Sequence, residues 1–477
     1  MNEEALFFPS SDTDLDLSFT SCASTDRTTT SARSSLARSS LTLSFNDRLS
    51  TTTDTFNTTS FSSSSSSTLL RSHRRSSDDP HWSAIKAATT ISSDGALHLR
   101  HLKLLRHLGT GNLGRVFLCR LRDYDDHANA NFALKVVDKD SLSAKKLSHV
   151  KTEAEILSTL DHPFLPTLYA HIEVSHYTCL LIDYCPGGDL HALLRRQPGN
   201  RLPLKAVKFF ASEVLVALEY LHSLGIVYRD LKPENILLRE DGHIMLSDFD
   251  LCFKAEVVPT LVQYITNTIT TGRRHMRPSC FGEKQAEAVT SEFVAEPTAA
   301  FSRSCVGTHE YLAPELVAGN GHGNGVDWWA FGVLIYEMAF GTTPFKGGSK
   351  ESTLRNIASS RDVRFPKEEE GEEMSYVKDL LEKLLVKDPR RRLGCTRGAS
   401  DVKRHPFFKG IKWALIRNYK APEIRGLSRK TSAMTKGKRH VSGHRRRRFS
   451  RWLMNWKGSA LLLGCYTYKK PRRFLHV

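Results

Sequence analysis

The chain has 477 residues, of which 40% are hydrophobic, and this is enough for a substantial core in two or three domains. Its formal net charge is +17, but 16 Lys or Arg and no Asp or Glu follow Glu423, so the preceding residues carry only about +1 (17 − 16). This distribution excludes a diffusely basic surface and confines the positive charge to the C-terminal tail.

The nine cysteines form no Cys-x-x-Cys pair and have no histidine at ligand-like spacing. This pattern disfavours a zinc site and a disulfide framework, and it is typical of a reducing compartment. The N-terminal stretch is acidic, and no run approaches the roughly 18 apolar residues of a membrane-spanning helix. We therefore expect an intracellular protein with neither a signal peptide nor a transmembrane segment.

Residues 1–95 are predicted to be a disordered region, because 36 of the first 80 residues are Ser or Thr. Such a segment buries too little apolar area to offset its conformational entropy. A solvated linker and a set of phosphorylation sites are both consistent with this composition.

Short apolar runs follow, and three of them predict strands: VFLCRL, NFALKVVD and YTCLLIDY. Between the second and third, KKLSHVKTEAEILSTL has the apolar spacing of a helix. After Tyr184 the pattern is mainly helical, as in LKAVKFFASEVLVALEYLHSLG. We predict an α+β fold, with a small antiparallel-sheet lobe containing one main helix at 101–183 and a larger, mostly helical lobe at 184–408.

The segment at about 255–303 interrupts this periodicity. Ordered loops longer than about 12–15 residues are uncommon, so the segment is predicted to be functional or disordered. It contains GRRHMRPS, for which a flexible surface loop and a role in membrane or localisation control remain alternatives.

The stretch GTGNLGRV places Gly109, Gly111 and Gly114 between two predicted strands. A G-x-G-x-x-G pattern also begins dinucleotide-binding folds, but there a helix follows the glycines, whereas here a strand follows. A hairpin whose backbone amides approach phosphates fits better. Downstream, Lys135 in a predicted strand and Glu153 in the next helix fit an ion pair that holds the α- and β-phosphates.

The stretch YRDLKPEN is the most specific signal in the chain. Asp230 is placed to accept or orient the proton of a substrate hydroxyl, and Lys232 to stabilise charge on the γ-phosphate. Asn235 and, further on, Asp248 offer the amide and carboxylate oxygens that Mg²⁺ prefers. These types in this order predict phosphoryl transfer from ATP with Mg²⁺.

Residues 101–408 resemble the eukaryotic protein kinases, and YRDLKPEN, GTHEYLAPE and the HPFF that follows DPRRRLG resemble the AGC group. The stretch SDFDLCFK has Asp250 where most kinases have glycine. That substitution and the long insertion resemble the plant-specific group VIII kinases, closest to the PINOID/WAG type. The resemblance implies a serine/threonine kinase that phosphorylates PIN auxin efflux carriers at the plasma membrane. A pseudokinase acting as a membrane scaffold is the alternative from another class.

The resemblance also implies residue roles. The residues that would bind ATP are Leu108, Gly109, Gly111, Gly114, Val116, Lys135, Asp183, Cys185 and Asp189. Among them, the backbone of Asp183 and Cys185 would hold the adenine, and Asp189 would reach the ribose. Glu234 and Asp189 would recognise a substrate arginine. Ser304 would be the activation-loop phosphosite, and its phosphate would pair with Arg229.

Residues 409–477 are interpreted as an AGC-type C-terminal extension with a basic tail, in which Arg445–Arg448 precede Trp452 and Trp456. Basic residues interleaved with aromatic ones favour anionic phospholipids; a nuclear localisation signal or nucleic-acid contact, and a solvated tail with no specific partner, are the alternatives. The tail lacks the F-x-x-F motif of many AGC kinases. We expect a monomer, cytoplasmic and peripheral to the plasma membrane, with an upstream activating kinase as a further partner.

Overall fold

A computed structural model describes residues 79–122, 130–266, 288–367 and 371–427, so the predictions for residues 1–78 and for the basic tail lie outside the described part of the chain. The strands are β1 (Leu102–Thr110), β2 (Arg115–Leu121), β3 (Phe132–Asp138), β4 (Leu168–Glu173), β5 (Tyr177–Asp183), β6 (Ile226–Val227), β7 (Ile236–Leu238), β8 (Ile244–Leu246), β9 (Phe253–Lys254), β10 (Thr260–Thr266) and β11 (Ala288–Val294). The helices are α1 (Pro80–Ile91), α2 (Ala144–Thr159), α3 (Leu190–Arg195), α4 (Leu204–Ser223), α5 (Pro314–Val317), α6 (Gly325–Phe340), α7 (Lys350–Ala358), α8 (Glu372–Leu384) and α9 (Ala399–Lys403).

The small lobe is a five-stranded antiparallel sheet with the order β1-β2-β3-β5-β4. Helix α2 begins at the N-cap Ser143, whose side chain accepts a hydrogen bond from Lys146 N, and buries Glu153 and Leu157. The large lobe is built around α4 and α6, and α6 is buried on almost every side because other elements surround it. The predicted α+β class and two-lobe arrangement are confirmed.

The strand register places the glycine hairpin beside the predicted lysine. Gly109 pairs with Val116, and Val116 pairs with Lys135 in the neighbouring strand. Because residues in register on adjacent strands lie side by side, Lys135 sits two strands from the hairpin glycine. Glu153 follows Lys135 by 18 positions, which is enough chain for α2 to return to the sheet.

The predicted end of disorder at residue 95 is wrong, because α1 lies within that segment and packs on the small-lobe sheet. Asp79 caps it by accepting from His81 N at 2.8 Å, and Pro80 occupies its first turn. Ala84 and Ile85 are buried, and the Trp82 ring lies 5.2 Å from that of Tyr169. The packing of one apolar face on the sheet stabilises a 12-residue helix that would be marginal alone.

Replacing Ile85 with alanine is expected to lower the free energy of unfolding by about 2 kcal/mol, because it empties a buried side-chain site between α1 and the sheet. Urea unfolding followed by fluorescence would measure the change. Lys86→Ala, on the exposed side of the same turn, is the matched control. Equal stability of both variants would show that α1 does not contribute to the folded domain.

The insertion at 255–303 has more regular structure than its sequence suggests. Strands β10 and β11 pair in register from Thr260 opposite Val294 to Thr266 opposite Ala288. The stretch GRRHMRPS falls in 267–287, outside the described residues. Ordinary antiparallel hydrogen bonding therefore brings the two ends of the insertion together.

The first part of the C-terminal extension lies on the large lobe. Trp413 packs against Phe408 with ring centroids 5.6 Å apart, and Gln197 Nε2 donates to Arg425 O at 2.8 Å. Within the described residues no helix is both long and apolar enough to cross a bilayer.

Candidate active site

Lys135 joins the two lobes electrostatically. Its Nζ lies 2.7 Å from both Glu153 oxygens and 3.1 Å from Asp248 Oδ1. Burial alone would lower the pKa of Lys135, but the carboxylates of Glu153, Asp248 and Asp250 outweigh it and raise the pKa. The lysine is therefore a fixed cation between the two lobes, able to bind phosphate oxygens.

The predicted base Asp230 is buried among hydrogen-bond donors. Its Oδ2 accepts from Lys232 Nζ at 2.7 Å and from Asn235 Nδ2 at 2.8 Å. Thr308, which the sequence analysis did not single out, accepts from Lys232 Nζ at 3.0 Å and donates to Asp230 Oδ1 at 3.3 Å. Burial raises the pKa of Asp230 and Lys232 opposes that rise. The carboxylate is thus held in place to receive a proton from a nearby hydroxyl.

Asn235 and Asp248 fit a divalent metal ion. The amide nitrogen of Asn235 is engaged by the main-chain and side-chain oxygens of Asp230, at 2.9 Å and 2.8 Å, so its Oδ1 is directed elsewhere. Asp248 is about one-third exposed and uses one oxygen for Lys135. The described residues contain no group of three or more His, Cys, Asp or Glu arranged for a metal. These two oxygen donors, together with the phosphate oxygens of a bound nucleotide, would suit a hard cation.

Asp250 does not strain the backbone. The left-handed residue in Ser247–Asp250 is Asp248, with φ 59°, and Asp250 is not among the described non-glycine residues with positive φ. A glycine is therefore not required at position 250. Burial and the neighbouring Asp248 raise the pKa of Asp250 to about 8, against the effect of Lys135. Asp250 thus needs no unusual backbone angle beside Asp248, the predicted metal ligand.

The glycine hairpin and the hinge frame the cleft. A Cβ at Gly114 would lie 2.3 Å from Val136 O, so only glycine permits this approach of the hairpin to β3. Gly111 N donates to Gly114 O at 2.8 Å, and Leu108 is partly buried. At the hinge, both carboxylate oxygens of Asp183 point inward, accepting from Thr167 N and Tyr169 OH. The side chain of Asp183 thus serves the small-lobe fold, and the binding of an adenine by the main chain of Asp183 and Cys185 stays a prediction.

Asp189 and Glu234, the two carboxylates predicted to bind a substrate arginine, both contact α3. Asp189 caps α3, accepting from Ala192 N at 2.6 Å, while Glu234 lies 3.2 Å from His191 Nδ1 in the same helix. Sequence reasoning missed Glu337, a half-buried residue of α6. Burial raises its pKa and the nearby Glu234 adds to that rise. Glu234 and Glu337 thus form an acidic cluster, and a bound guanidinium would relieve the repulsion between them.

The activation segment brings Ser302 rather than Ser304 to Arg229. Arg229 Nη1 lies 3.2 Å from Ser302 Oγ, and Ser304 is exposed with its N–H donating to that same Oγ. The pairing of Ser302 with His322 through two backbone hydrogen bonds fixes this choice. In the unmodified chain Arg229 therefore contacts Ser302, while Ser304 as a phosphosite and the pairing of its phosphate with Arg229 both stay predictions.

A buried histidine supports the catalytic loop. His222 Nδ1 lies 2.8 Å from Glu296 and Nε2 lies 2.9 Å from Asp327. Burial alone would lower the pKa of His222, but the two carboxylates outweigh it and raise the pKa to about 10. The imidazolium form therefore persists at neutral pH.

This raised pKa predicts a pH-dependent stability. The contribution of His222 to the free energy of unfolding is fully present below the ordinary pKa of 6.5 and is lost as pH rises through about 10, so the free energy of unfolding falls as pH rises within that window. Urea titrations of wild type and His222→Gln at pH 6 to 9 would measure this decline. If the variant declines as steeply as the wild type, His222 is not the group responsible.

Comparisons with known proteins agree with this geometry. Residues 102–408 match the protein kinase domain family. The chain is 69% identical over 458 residues to Serine/threonine-protein kinase WAG1 of Arabidopsis thaliana, covering 94% of this chain and 93% of that protein. It is 63% identical to Serine/threonine-protein kinase WAG2 of Arabidopsis thaliana, covering 97% of this chain and 94% of that protein. Protein kinase PINOID 2 of Oryza sativa subsp. japonica is 44% identical, with 73% of this chain and 82% of that protein aligned.

Proposed function

The chain belongs to the protein kinase family, and on that premise we propose that it phosphorylates serine and threonine side chains of proteins that carry arginine near the acceptor. It is a serine/threonine protein kinase, like its WAG relatives, and it uses ATP with a divalent metal ion. The observation that carries this conclusion is that Lys135 pairs with Glu153 and Asp248, while Asp230 contacts Lys232 and Asn235 and lies close enough to Asp248 for that charge to raise its pKa.

The residues divide the work of phosphoryl transfer. Lys135 holds the phosphates and Lys232 stabilises negative charge on the transferred group, while Asp230 orients the substrate hydroxyl and accepts its proton. We propose Mg²⁺ as the metal; when held by Asp248 and Asn235 it supplies positive charge to the phosphates. The pseudokinase alternative is not favoured, because the chain has all six residues that transfer requires: Lys135, Glu153, Asp230, Lys232, Asn235 and Asp248.

The acidic cluster supports a preference for basic substrates. Replacing Glu234 with glutamine is expected to raise KM about tenfold for a serine peptide with an upstream arginine, because one charge-assisted hydrogen bond is lost. A peptide with alanine in place of that arginine should be bound equally by wild type and variant. Glu256→Gln, an exposed glutamate of the insertion, is the matched control. A similar rise in KM with the alanine peptide would contradict arginine recognition.

We further propose that the physiological substrates are PIN-type auxin efflux carriers. The support is the resemblance to the PINOID/WAG type and the similarity to a kinase named PINOID 2. Incubating the kinase with the cytoplasmic loop of a PIN carrier and labelled ATP tests this. Phosphate incorporation should be lost when the loop serines flanked by basic residues become alanine, and no incorporation would reject this substrate.

We also propose peripheral attachment to the plasma membrane through the basic and aromatic tail at 436–457. Co-sedimentation of the full chain with vesicles containing phosphatidylserine should exceed that of a chain lacking these residues. Equal sedimentation of both would reject membrane attachment through the tail.

A further inference from the structure

Glu296 is a buried carboxylate at the C-terminal end of the insertion, two residues beyond β11. Its Oε2 lies 2.8 Å from His222 Nδ1 and accepts from Asn324 Nδ2 at 3.0 Å, while its Oε1 accepts from Ala399 N at 3.3 Å. These partners belong to α4, to the residue before α6 and to α9. Three separate parts of the large lobe therefore converge on one side chain.

The large lobe also makes room for this carboxylate. Gly398 has φ 63°, and a Cβ there would lie 1.7 Å from Glu296 Oε1. Any side chain at position 398 would clash with the carboxylate of Glu296 unless one of the two groups moved. A buried carboxylate is costly unless hydrogen bonds replace the water that it loses. Three donors and the space left by Gly398 therefore indicate a specific binding site for the Glu296 side chain in the large lobe.

The hydrogen bonds that begin at Glu296 continue into the catalytic loop. On its other side His222 Nε2 donates to Asp327 Oδ2 at 2.9 Å. Asp327 in turn accepts from Tyr228 N at 2.8 Å and from Arg229 N at 2.7 Å. Arg229 has φ 66°, a conformation that is costly for residues with a Cβ and persists where surrounding contacts hold it. The next residue is Asp230, the catalytic base.

The same segment of the insertion reaches the catalytic loop a second time. Six residues after Glu296, Ser302 Oγ lies 3.2 Å from Arg229 Nη1. Arg229 is thus held through its main chain by the Glu296–His222–Asp327 chain and through its side chain by Ser302. The end of the insertion therefore contacts Arg229, the residue before the base, in two ways: indirectly through Glu296 and directly through Ser302.

We propose that Glu296 is a positioning residue of the kinase: it anchors the end of the insertion in the large lobe and, through His222 and Asp327, fixes the backbone that presents Asp230. The inference rests on the proposed kinase activity, and it gives the insertion a role in catalysis in addition to any role of its undescribed central part. Glutamine has nearly the same shape as glutamate, but it cannot accept from His222, Asn324 and Ala399 at once.

Glu296→Gln tests the proposal in the full-length chain. We expect kcat to fall about tenfold, corresponding to one lost hydrogen bond to a charged group, with KM for ATP changed less than twofold. Asn324→Ala, which removes one of the three donors, should lower kcat by a smaller factor. Glu256→Gln should match the wild type, because that glutamate is exposed in the same insertion. Thermal unfolding would verify that each variant is folded at the assay temperature.

Hydrogen exchange supplies a readout that does not depend on turnover. In Glu296→Gln, the amides of Tyr228 and Arg229 should exchange faster than in wild type and in Glu256→Gln. An inactive wild type would reject the kinase activity itself. An active wild type with an unchanged kcat in Glu296→Gln, or a lower kcat with unchanged exchange at Tyr228 and Arg229, would overturn the positioning role.

Discussion

An Asp230→Asn variant is expected to transfer phosphate about 10²–10⁴-fold more slowly than the wild type, the range of a lost general base. Asparagine has nearly the same shape, so Lys232 and Asn235 keep a neighbour at the positions they now contact, 2.7 Å and 2.8 Å from Oδ2. The amide cannot accept the proton that leaves the substrate hydroxyl. The loss should therefore lie in kcat, with ATP affinity nearly unchanged.

Transfer of labelled phosphate from saturating ATP to a basic serine peptide measures this effect. Asp140→Asn, an exposed aspartate of the small lobe, is the control for the substitution itself. Equal incorporation by wild type and Asp230→Asn would mean that the activity belongs to a contaminant. A rise in the KM for ATP with unchanged kcat would show instead that Asp230 contacts the nucleotide.

Asp248→Asn is expected to slow transfer by about 10³-fold, because a metal that stabilises transition-state charge contributes several kcal/mol. Asparagine tolerates the left-handed backbone of this position, where φ is 59°, so the effect isolates the charge. The substitution also takes the negative charge away from Lys135, which now lies 3.1 Å from Oδ1. The variant should consequently need more Mg²⁺ and still fail to reach the wild-type rate.

The measurement is a Mg²⁺ titration after complete removal of divalent ions with a chelator. The wild type should regain full activity at millimolar Mg²⁺, whereas the activity of the variant should rise only at higher Mg²⁺ concentrations and reach a lower maximum. Asp140→Asn again provides the control. Wild-type activity of Asp248→Asn at low Mg²⁺ would show that another group binds the metal.

The helix α1 shows why part of the fold escaped prediction. Its 12 residues, PHWSAIKAATTI, have few large apolar side chains and follow a long Ser/Thr-rich region, so composition favours disorder. Its stability depends on contacts that Trp82 and Ile85 make with strands far along the chain. Such tertiary stabilisation of a short helix leaves little trace in local sequence.

The insertion gives the opposite lesson about a ragged sequence. Its loss of periodicity predicts a functional or disordered loop, yet β10 and β11 pair across 267–287, which lie outside the described residues. A two-stranded ribbon needs only the pairing of its own two strands. The alternation of apolar and polar side chains is hard to recognise in strands of seven residues. Pattern reading also gave no reason to separate Glu296 from the other carboxylates of this segment.

The sequence by itself determined the kinase family, the α+β fold and the identities of Lys135, Glu153, Asp230, Asn235 and Asp248. It could do so because phosphoryl transfer requires particular side chains, and the short loops that carry them fix their spacing along the chain. Only the tertiary structure decided that Ser302 meets Arg229, that Glu337 joins the acidic cluster and that Glu296 lies against His222. Ser302 lies 73 positions from Arg229, Glu337 lies 103 positions from Glu234 (337 − 234), and Glu296 lies 74 positions from His222. The energies of these interactions come from burial and from charges brought together only in the folded chain.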